Sequence, residues 1–347
     1  METLANPLLH GLAIDLTPEI RMKLMLMLKT LVLAGLLFVF HGNVIAGTEA
    51  PKFKPPKSYY LALGDSVTYG YQASKFLAGL PPSGFNTGYV DDFGAQLRQI
   101  QPGITTVNYG CPGETTASFI TGPCPWTTAG HQLHDNFTGS QLDAAAAFLE
   151  AHPGQVSPIT ITLWGNDVSA FVNSCRGDRI CLQNGAPGFL AQVNINFSTI
   201  LRRLRAFAPN AEIIVTGGWD SFIGSFDFGD PLFEALNASM ADAAAGKRAR
   251  FADPFLVFNP QGDVNAETRA ICSLTLLCTN GDSHPSDVGY QALADVVFNV
   301  SDYDRLLDER RFDRERRERR RDGEAGRQEP RERGEVVLVG AHRVPGQ

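Results

Sequence analysis

The sequence has 347 residues, of which 44% are hydrophobic and 19% charged, and its formal net charge is −7 at pH 7. This composition suits a globular protein with a sizeable core, and the length allows one large domain or two ordinary ones. The acidic balance shows no sign of a surface built for nucleic acid, so we expect no nucleic-acid partner.

The chain begins with a leader, residues 1–46, that contains the features of a secretory signal peptide. Two basic residues precede the apolar run LMLMLKTLVLAGLLFVF, and small residues follow it, with cleavage expected after Ala46. The uninterrupted apolar part, residues 30–40, is short for a bilayer span, and an uncleaved membrane anchor is the alternative. Met22 would be a more typical start than the first residue. From the signal-peptide features we expect a secreted, extracellular protein.

Residues 47–300 alternate between β-rich runs and amphipathic helical patterns. Several of the runs are apolar on both faces, as buried parallel strands are. This alternation predicts one α/β domain, a three-layer α/β/α sandwich around a parallel sheet of about five strands. The predicted strands are 59–64, 105–110, 159–165, 212–218 and 250–254.

Residues 301–347 form a tail of different composition. It has 13 arginines and 12 acidic residues, and apolar residues are nearly missing from its first 30 positions. Such a segment buries too little apolar surface to offset the entropy of ordering, which predicts a disordered or solvated helical tail. Its interleaved charges nearly cancel, so transient contact with membrane or cell wall is the weaker interpretation.

The six cysteines all lie between the leader and the tail. Six cysteines allow fifteen connectivities, and the sequence leaves them open, with pairing of neighbours the simplest expectation. No C-x-x-C spacing indicates a zinc site, and we expect no metal. The neighbours are Cys111 and Cys124, Cys175 and Cys181, and Cys272 and Cys278.

Four short polar motifs follow predicted strands or precede the last helix. They are GDS (64–66), GCPGETT (110–116), GND (165–167) and GDSHPS (281–286). The carboxyl ends of parallel strands share one edge of the sheet, where ligands bind. We therefore expect Ser66, Gly113 and Asn166 to converge there, within reach of a loop that carries His284.

This set of motifs resembles the SGNH or GDSL hydrolase superfamily, over roughly residues 58–300. Its blocks here are LGDSVTYG, NYGCPGETT, WGND and DSHPSDVGY. The resemblance implies a flavodoxin-like hydrolase fold, and the three close cysteine pairs resemble the disulfides of secreted actinobacterial lipases and esterases. No G-x-S-x-G motif surrounds any serine, which argues against the α/β-hydrolase fold.

The resemblance also implies a role for each residue of the set. Ser66 would be the nucleophile, with His284 as the base that takes its proton. The backbone N–H groups of Ser66 and Gly113 and the side-chain amide of Asn166 would bind the oxyanion of a tetrahedral intermediate. Gly110 lies in the same loop and competes with Gly113 for the role of donor.

The position of the catalytic acid departs from the family pattern. The family places an acid three residues before the histidine, where this sequence has Gly281. The nearest acid, Asp282, is two residues before His284. Either Asp282 orients the imidazole or a backbone carbonyl does, which would leave a Ser–His dyad.

The sequence thus predicts a secreted esterase or lipase that hydrolyses carboxylic esters without a cofactor. We expect a monomer that acts on a small-molecule or lipid ester. The alternatives are a deacetylase of a carbohydrate polymer, an acyltransferase of the same fold, or a non-catalytic binding module. Two apolar stretches, 79–85 and 217–229, are candidates for an acyl pocket, although each would also serve as core or loop cover.

Overall fold

The computed structural model describes residues 54–325. The predicted leader, 1–46, and the end of the predicted tail, 326–347, lie outside the described residues. Five parallel strands form the main sheet in the order β2-β1-β3-β4-β5, and two short antiparallel strands form a hairpin. The strands are β1 (Tyr59–Gly64), β2 (Thr105–Asn108), β3 (Val156–Thr162), β4 (Ile213–Thr216), β5 (Arg250–Ala252), β6 (Thr275–Leu276) and β7 (Asp282–Pro285).

Fourteen α-helices connect or follow these strands within residues 54–325, together with a 3-10 helix at Pro82–Phe85. They are α1 (Ser66–Tyr69), α2 (Ala73–Leu77), α3 (Tyr89–Ile100), α4 (Thr116–Thr121), α5 (Pro125–Thr128), α6 (Gln141–Ala151), α7 (Gly165–Ser174), α8 (Arg179–Phe207), α9 (Phe226–Ala245), α10 (Phe255–Phe258), α11 (Val264–Leu274), α12 (Leu277–Asn280), α13 (Asp287–Val300) and α14 (Asp304–Ala325).

The helices pack in two groups around the sheet. Helices α4, α6, α8 and α9 contact one another, and α3, α11 and α13 form the second group. All seven residues of β3 are buried, as expected for a central strand that is covered on both faces. The predicted three-layer α/β/α fold with five parallel strands is confirmed.

The predicted strands match those of the main sheet in number and order, although their ends differ, and the hairpin strands β6 and β7 were not predicted. β1 is as predicted, whereas β3 begins at Val156, three residues before the predicted start. Pro158 interrupts the periodic pattern there, and the register between β1 and β3 shifts at this point. Proline has no N–H to donate to a ladder, so an irregular register is its usual setting inside a sheet.

The charged segment after the last predicted helix is helical over Asp304–Ala325. Leu306 and Leu307 pack against the core, which attaches the start of this helix to the domain. The ion pairs Arg311–Glu315 and Arg319–Glu315 have the spacing of neighbours on one helix face. This part of the tail is a solvated helix. No helix among residues 54–325 is long and apolar enough to cross a membrane.

Candidate active site

Ser66 lies where β1 gives way to α1. Strand β1 ends at Gly64, whose φ of +139° favours glycine. A Cβ at this position would clash with Thr162 O. Asp65 then caps α1 by accepting a hydrogen bond from Val67 N at 2.9 Å. The first N–H groups of a helix have no partner within the helix, and the Ser66 N–H has no hydrogen-bond partner among residues 54–325, so it is available to a ligand. The strand thus delivers both a hydroxyl and an N–H to the sheet edge.

His284 is hydrogen-bonded to Ser66 on one side and to Asp282 on the other. Its Nε2 lies 2.8 Å from Ser66 Oγ, and its Nδ1 lies 2.6 Å from Asp282 Oδ1. Asp282 and His284 both belong to β7, and residues i and i+2 of a strand face the same side. The extended backbone therefore makes the two-residue spacing work where the family pattern has three residues.

Asp282 is held in place by further donors. Its Oδ2 accepts a hydrogen bond from Ala73 N, at the start of α2, at 2.6 Å. The buried Gln72 donates to Pro285 O at 3.1 Å and so ties α2 to the hairpin. Burial alone would raise the pKa of Asp282, but the hydrogen bonds and charge of His284, with the Ala73 N–H, outweigh it and lower that pKa. The carboxylate is thus ionised and oriented.

Gly113 lies in the loop that follows β2. Its φ of +87° is in the left-handed region that favours glycine. Its N–H has no hydrogen-bond partner among the described residues, whereas the N–H of Gly110 is donated to Asn108 Oδ1 at 2.8 Å. Of the two glycines, Gly113 therefore has the available donor. The loop is closed by a disulfide between Cys111 and Cys124.

Asn166 lies in the first turn of α7, directly after β3. Its Nδ2 donates to Glu114 O at 2.9 Å, which fixes the side chain against the loop of Gly113. An amide nitrogen carries two hydrogens, so one remains for a ligand in the cavity that Asn166 lines. The predicted convergence of Ser66, Gly113, Asn166 and His284 is present, because all four line this cavity.

Two residues that sequence reasoning missed tie the Gly113 loop to β1. The buried Glu114 accepts hydrogen bonds from Ser118 Oγ at 2.5 Å and from Gln141 Nε2 at 3.2 Å. Gln141 also binds both polar groups of the Gly64 backbone, at 2.7 Å to N and 3.0 Å to O. Glu114 stands beside Gly113 in the sequence, but Gln141 begins a distant helix and carries no motif that would reveal it.

Asp167, the last residue of the GND motif, links α7 to the same loop. Its carboxylate accepts from Thr116 N at 2.9 Å and from Thr116 Oγ1 at 2.6 Å. Asn196 in turn donates to Thr116 Oγ1 at 2.8 Å. The two donor-bearing segments after β2 and β3 are therefore joined by side-chain hydrogen bonds and are held as one unit.

Burial shifts the pKa of two carboxyl groups behind the site. Desolvation raises the pKa of Asp65 to about 6 and that of Glu114 to about 7, with hydrogen bonds to each group opposing the shift. A neutral carboxyl group adds no negative charge beside a developing oxyanion. Protonation of Glu114 is therefore compatible with its place under the Gly113 loop.

The cavity at this edge has a volume of about 570 Å³ and is mainly apolar. Aromatic side chains are prominent among its lining residues, and one of them, Trp219, is stacked on Phe258 with 4.3 Å between ring centroids. Of the two candidate stretches, 217–229 contributes to the cavity and 79–85 does not. The aromatic lining residues are Tyr71, Trp126, Trp164, Trp219, Phe222 and Phe233.

The remaining cysteines form two more local disulfides, Cys175–Cys181 and Cys272–Cys278. The second of these spans β6 and part of α12, beside the strand of His284. Cys111, Glu114 and Cys124 have potential ligand atoms within 4.8 Å of one another. Both sulfurs are used in a disulfide, and a disulfide has no thiolate to offer a metal, so this cluster does not fit a metal ion.

The sequence profile of the GDSL-like lipase/acylhydrolase family matches residues 62–292. The matched segment contains all four motifs and covers most of the domain. The chain belongs to this family and is a carboxylic ester hydrolase.

The solved structures that resemble this chain include other esterases. One is a lipase from a goat rumen metagenome, with 17% identity and a TM-score of 0.49 over 72% of this chain and 99% of that one. An extracellular lipase from Streptomyces rimosus has 17% identity and a TM-score of 0.49 over 70% and 99%. An acetyl xylan esterase from Geobacillus stearothermophilus has 19% identity and a TM-score of 0.44 over 72% and 97%. No curated protein sequence matches the chain.

Proposed function

We propose that the protein is a secreted serine esterase that hydrolyses carboxylic esters through an acyl-enzyme on Ser66. The observation that carries this proposal is the position of His284, within hydrogen-bond distance of both Ser66 Oγ and Asp282. A serine hydroxyl becomes a good nucleophile when a positioned base takes its proton. An apolar cavity at the same edge supplies room for the acyl group of an ester.

In the acylation step, Ser66 Oγ attacks the ester carbonyl carbon while its proton moves to His284 Nε2. The carbonyl oxygen becomes an oxyanion and binds to the Ser66 N–H, the Gly113 N–H and the Asn166 amide. When the tetrahedral intermediate collapses, the bond to the alcohol oxygen breaks and His284 returns the proton to the leaving alcohol. Asp282 holds the imidazole in the required tautomer and stabilises its charged form.

In the deacylation step, a water molecule attacks the acyl-enzyme. His284 takes a proton from the water, and the same three donors bind the second oxyanion. Collapse of this intermediate breaks the bond between the acyl carbon and Ser66 Oγ, which regains its proton from His284. The products are the carboxylic acid and a regenerated serine.

The lining of the cavity favours esters with an apolar acyl group. Trp219 and Phe233 are buried aromatic residues of its wall, and Leu277 adds an aliphatic side chain. Apolar surface removed from water stabilises binding by about 25 cal/mol per Å², so each added methylene of the acyl chain increases affinity while the cavity can accept it. We therefore propose an esterase or lipase ahead of a deacetylase of a sugar polymer.

Export is supported by the leader and by the cysteines. All six cysteines are joined in disulfides, which persist in oxidising compartments. We propose cleavage after Ala46, with residues 47–300 as the hydrolase domain and 301–347 as its charged tail. N-terminal sequencing of the exported protein tests this boundary: a terminus at Gly47 is expected, and retention of the apolar run would show an anchored protein instead.

The function is tested with p-nitrophenyl esters from acetyl to palmitoyl. The wild-type protein is expected to hydrolyse them, and Ser66→Ala is expected to lose turnover at every chain length. Ser174→Ala removes an exposed hydroxyl on α7 and serves as the matched control with wild-type rates. If the folded protein hydrolyses no simple ester, acetylated polysaccharides are the next substrates, and turnover on those would establish the deacetylase instead.

A further inference from the structure

Residues 77–81, with the sequence LAGLP, form an exposed apolar turn that we call the rim segment. All five residues are exposed, including Leu77 at 82% and Leu80 at 43%, and none carries a polar side chain. Runs of consecutive exposed apolar residues are avoided in soluble proteins unless they serve binding.

The rim segment is an ordered turn. It closes α2 through hydrogen bonds from Ala78 N to Ser74 O at 3.0 Å and from Leu80 N to Lys75 O at 3.2 Å. Gly79 adopts the left-handed conformation, with a φ of +69°, that such helix ends favour. The backbone therefore presents both leucine side chains to solvent at a fixed place.

That place is beside the catalytic residues. Helix α2 begins at Ala73, whose N–H binds Asp282, and it ends at the rim segment. A line of aromatic contacts connects the two ends. The Tyr71 ring centroid lies 4.8 Å from His284, and Phe76 lies 5.9 Å from Tyr71 and 5.1 Å from Trp126. Leu77 follows Phe76 as the last residue of α2, so the rim segment adjoins the end of this aromatic row.

We propose that the rim segment docks on the surface of an aggregated lipid ester and so positions the cavity mouth over its substrate. This inference rests on the proposed function and names its substrate as a lipid at a lipid–water interface. Leucine and proline side chains bury apolar surface well in acyl chains but offer no hydrogen-bond donor to the hydroxyls of a polysaccharide.

The charges around the segment favour a neutral or zwitterionic lipid surface. Lys75 is the cation on α2, and it is already paired with Thr87 Oγ1 and, at 3.7 Å, with Asp287. Attraction to anionic headgroups requires clustered free cations, which the described surface of α2 and the rim segment does not offer. Binding is therefore expected to depend on apolar burial and to change little with salt.

Binding is measured by co-sedimentation of the Ser66→Ala protein, from Gly47 to the C-terminus, with phosphatidylcholine vesicles, so that neither turnover nor the apolar leader plays a part. Leu77→Ser/Leu80→Ser in the same background is expected to bind at least about 30-fold more weakly, because two leucine side chains no longer leave water. Ile195→Ser/Phe312→Ser, which removes two exposed apolar side chains on α8 and α14, is the matched control and is expected to bind as the parent does.

Activity supplies the second arm, with the nucleophile restored. Leu77→Ser/Leu80→Ser is expected to keep its rate on monomeric p-nitrophenyl acetate within about twofold and to lose at least about tenfold on emulsified tributyrin. Because the leucines are exposed, both double variants are expected to melt within a few degrees of the wild type, which separates docking from folding.

Three results would overturn the proposal. They are no vesicle binding by the parent protein, equal binding by Leu77→Ser/Leu80→Ser, and equal loss of binding in the control. A dimer in sedimentation velocity that the leucine variant abolishes, without vesicle binding, would show instead that a second copy of the chain covers the segment. If the enzyme hydrolyses no ester, the proposed function fails while vesicle binding still tests the docking.

Discussion

The two halves of the candidate site are held by different kinds of structure. Ser66, Gly113 and Asn166 stand at the ends of three neighbouring strands of the main sheet, and a network through Glu114 and Asp167 joins them. Asp282 and His284 stand on β7, a four-residue strand of a two-stranded hairpin outside that sheet. The sheet half is built into the core, whereas the hairpin half depends on local supports.

The two halves therefore meet different requirements of the reaction. The nucleophile and donors need fixed positions, since misplaced donors lose their advantage in the transition state. The base needs correct orientation, which here comes from Asp282, Ala73 N and the tie between Gln72 and Pro285. Changes on the hairpin should therefore alter orientation of His284, whereas changes on the sheet should alter oxyanion binding.

The largest effect is expected for Asp282→Asn on the hairpin. An amide cannot stabilise the imidazolium and favours the wrong tautomer of His284, so kcat is expected to fall about 10³–10⁴-fold with KM little changed. Steady-state kinetics on a soluble ester measure this. Asp227→Asn, an exposed carboxylate paired with Arg179, is the control and should retain wild-type kcat. Unaltered turnover of Asp282→Asn would leave a Ser–His dyad.

A smaller effect is expected on the sheet side for Asn166→Ala. This change removes one oxyanion donor and leaves two, and such losses reduce kcat by about 10²–10³-fold. The pH dependence of kcat should stay that of the wild type, because the base is untouched. A shift of the pH profile would mean that Asn166 acts on His284 instead. Kinetics across pH on a soluble ester distinguish the two.

Removal of two of the disulfides allows a direct comparison of the two halves, because these two disulfides close loops of equal length. Cys272–Cys278 and Cys175–Cys181 each join residues six apart in sequence. In the chain-entropy model, loss of either lowers the free energy of unfolding by about 2 kcal/mol.

Only loss of the disulfide beside the hairpin, Cys272–Cys278, is expected to lower kcat as well. Replacing Cys272 and Cys278 with alanine should reduce kcat several-fold, while the matched change at Cys175 and Cys181 should affect stability alone. Denaturant unfolding and kinetics of both double variants test this. Equal kcat in the two would show that the hairpin does not rely on its disulfide.

For Glu114→Gln, the effect is expected only in the dependence of stability on pH, with kcat little changed. The folded pKa of about 7 lies above the value of an unfolded glutamate, so stability from this group is present at low pH and is lost as pH rises toward 7. The glutamine keeps a neutral side chain throughout.

Urea unfolding at pH 5 and pH 8 measures the change. From pH 5 to pH 8 the wild type should lose stability that Glu114→Gln does not lose. The free energy of unfolding of the variant minus that of the wild type should therefore increase, by about 3 kcal/mol at most. An unchanged difference between the two proteins would show that Glu114 is ionised at both pH values.

The sequence was sufficient for the sheet half of the site and less so for its supports. A buried strand followed by GDS, GCPGETT or GND marks where a side chain reaches the sheet edge. Both the apolar run of the strand and the polar motif at its end can be recognised within a short stretch of sequence. Gln141 carries no such mark. Its side chain reaches Gly64 only because the fold brings the first residue of α6 to the end of β1, and such long-range placement has no local signature.

The hairpin was not predicted, and it is what explains the position of Asp282. The spacing of Asp282 and His284 departs from the family pattern, and two short strands of two and four residues leave too little periodicity to recognise. The strand ends were also misplaced near Pro158 and Gly110, where proline and glycine interrupt the apolar pattern without fixing where pairing stops.

The central claim is that Ser66 is a nucleophile activated by His284, and covalent labelling tests it most directly. The wild-type protein is treated with an alkyl fluorophosphonate, which reacts with activated serines, and the adduct is located by peptide mass spectrometry. We expect one adduct, on Ser66, and labelling that is at least about 10³-fold slower in His284→Ala. Labelling of another serine, or rapid labelling of Ser66 without His284, would contradict it.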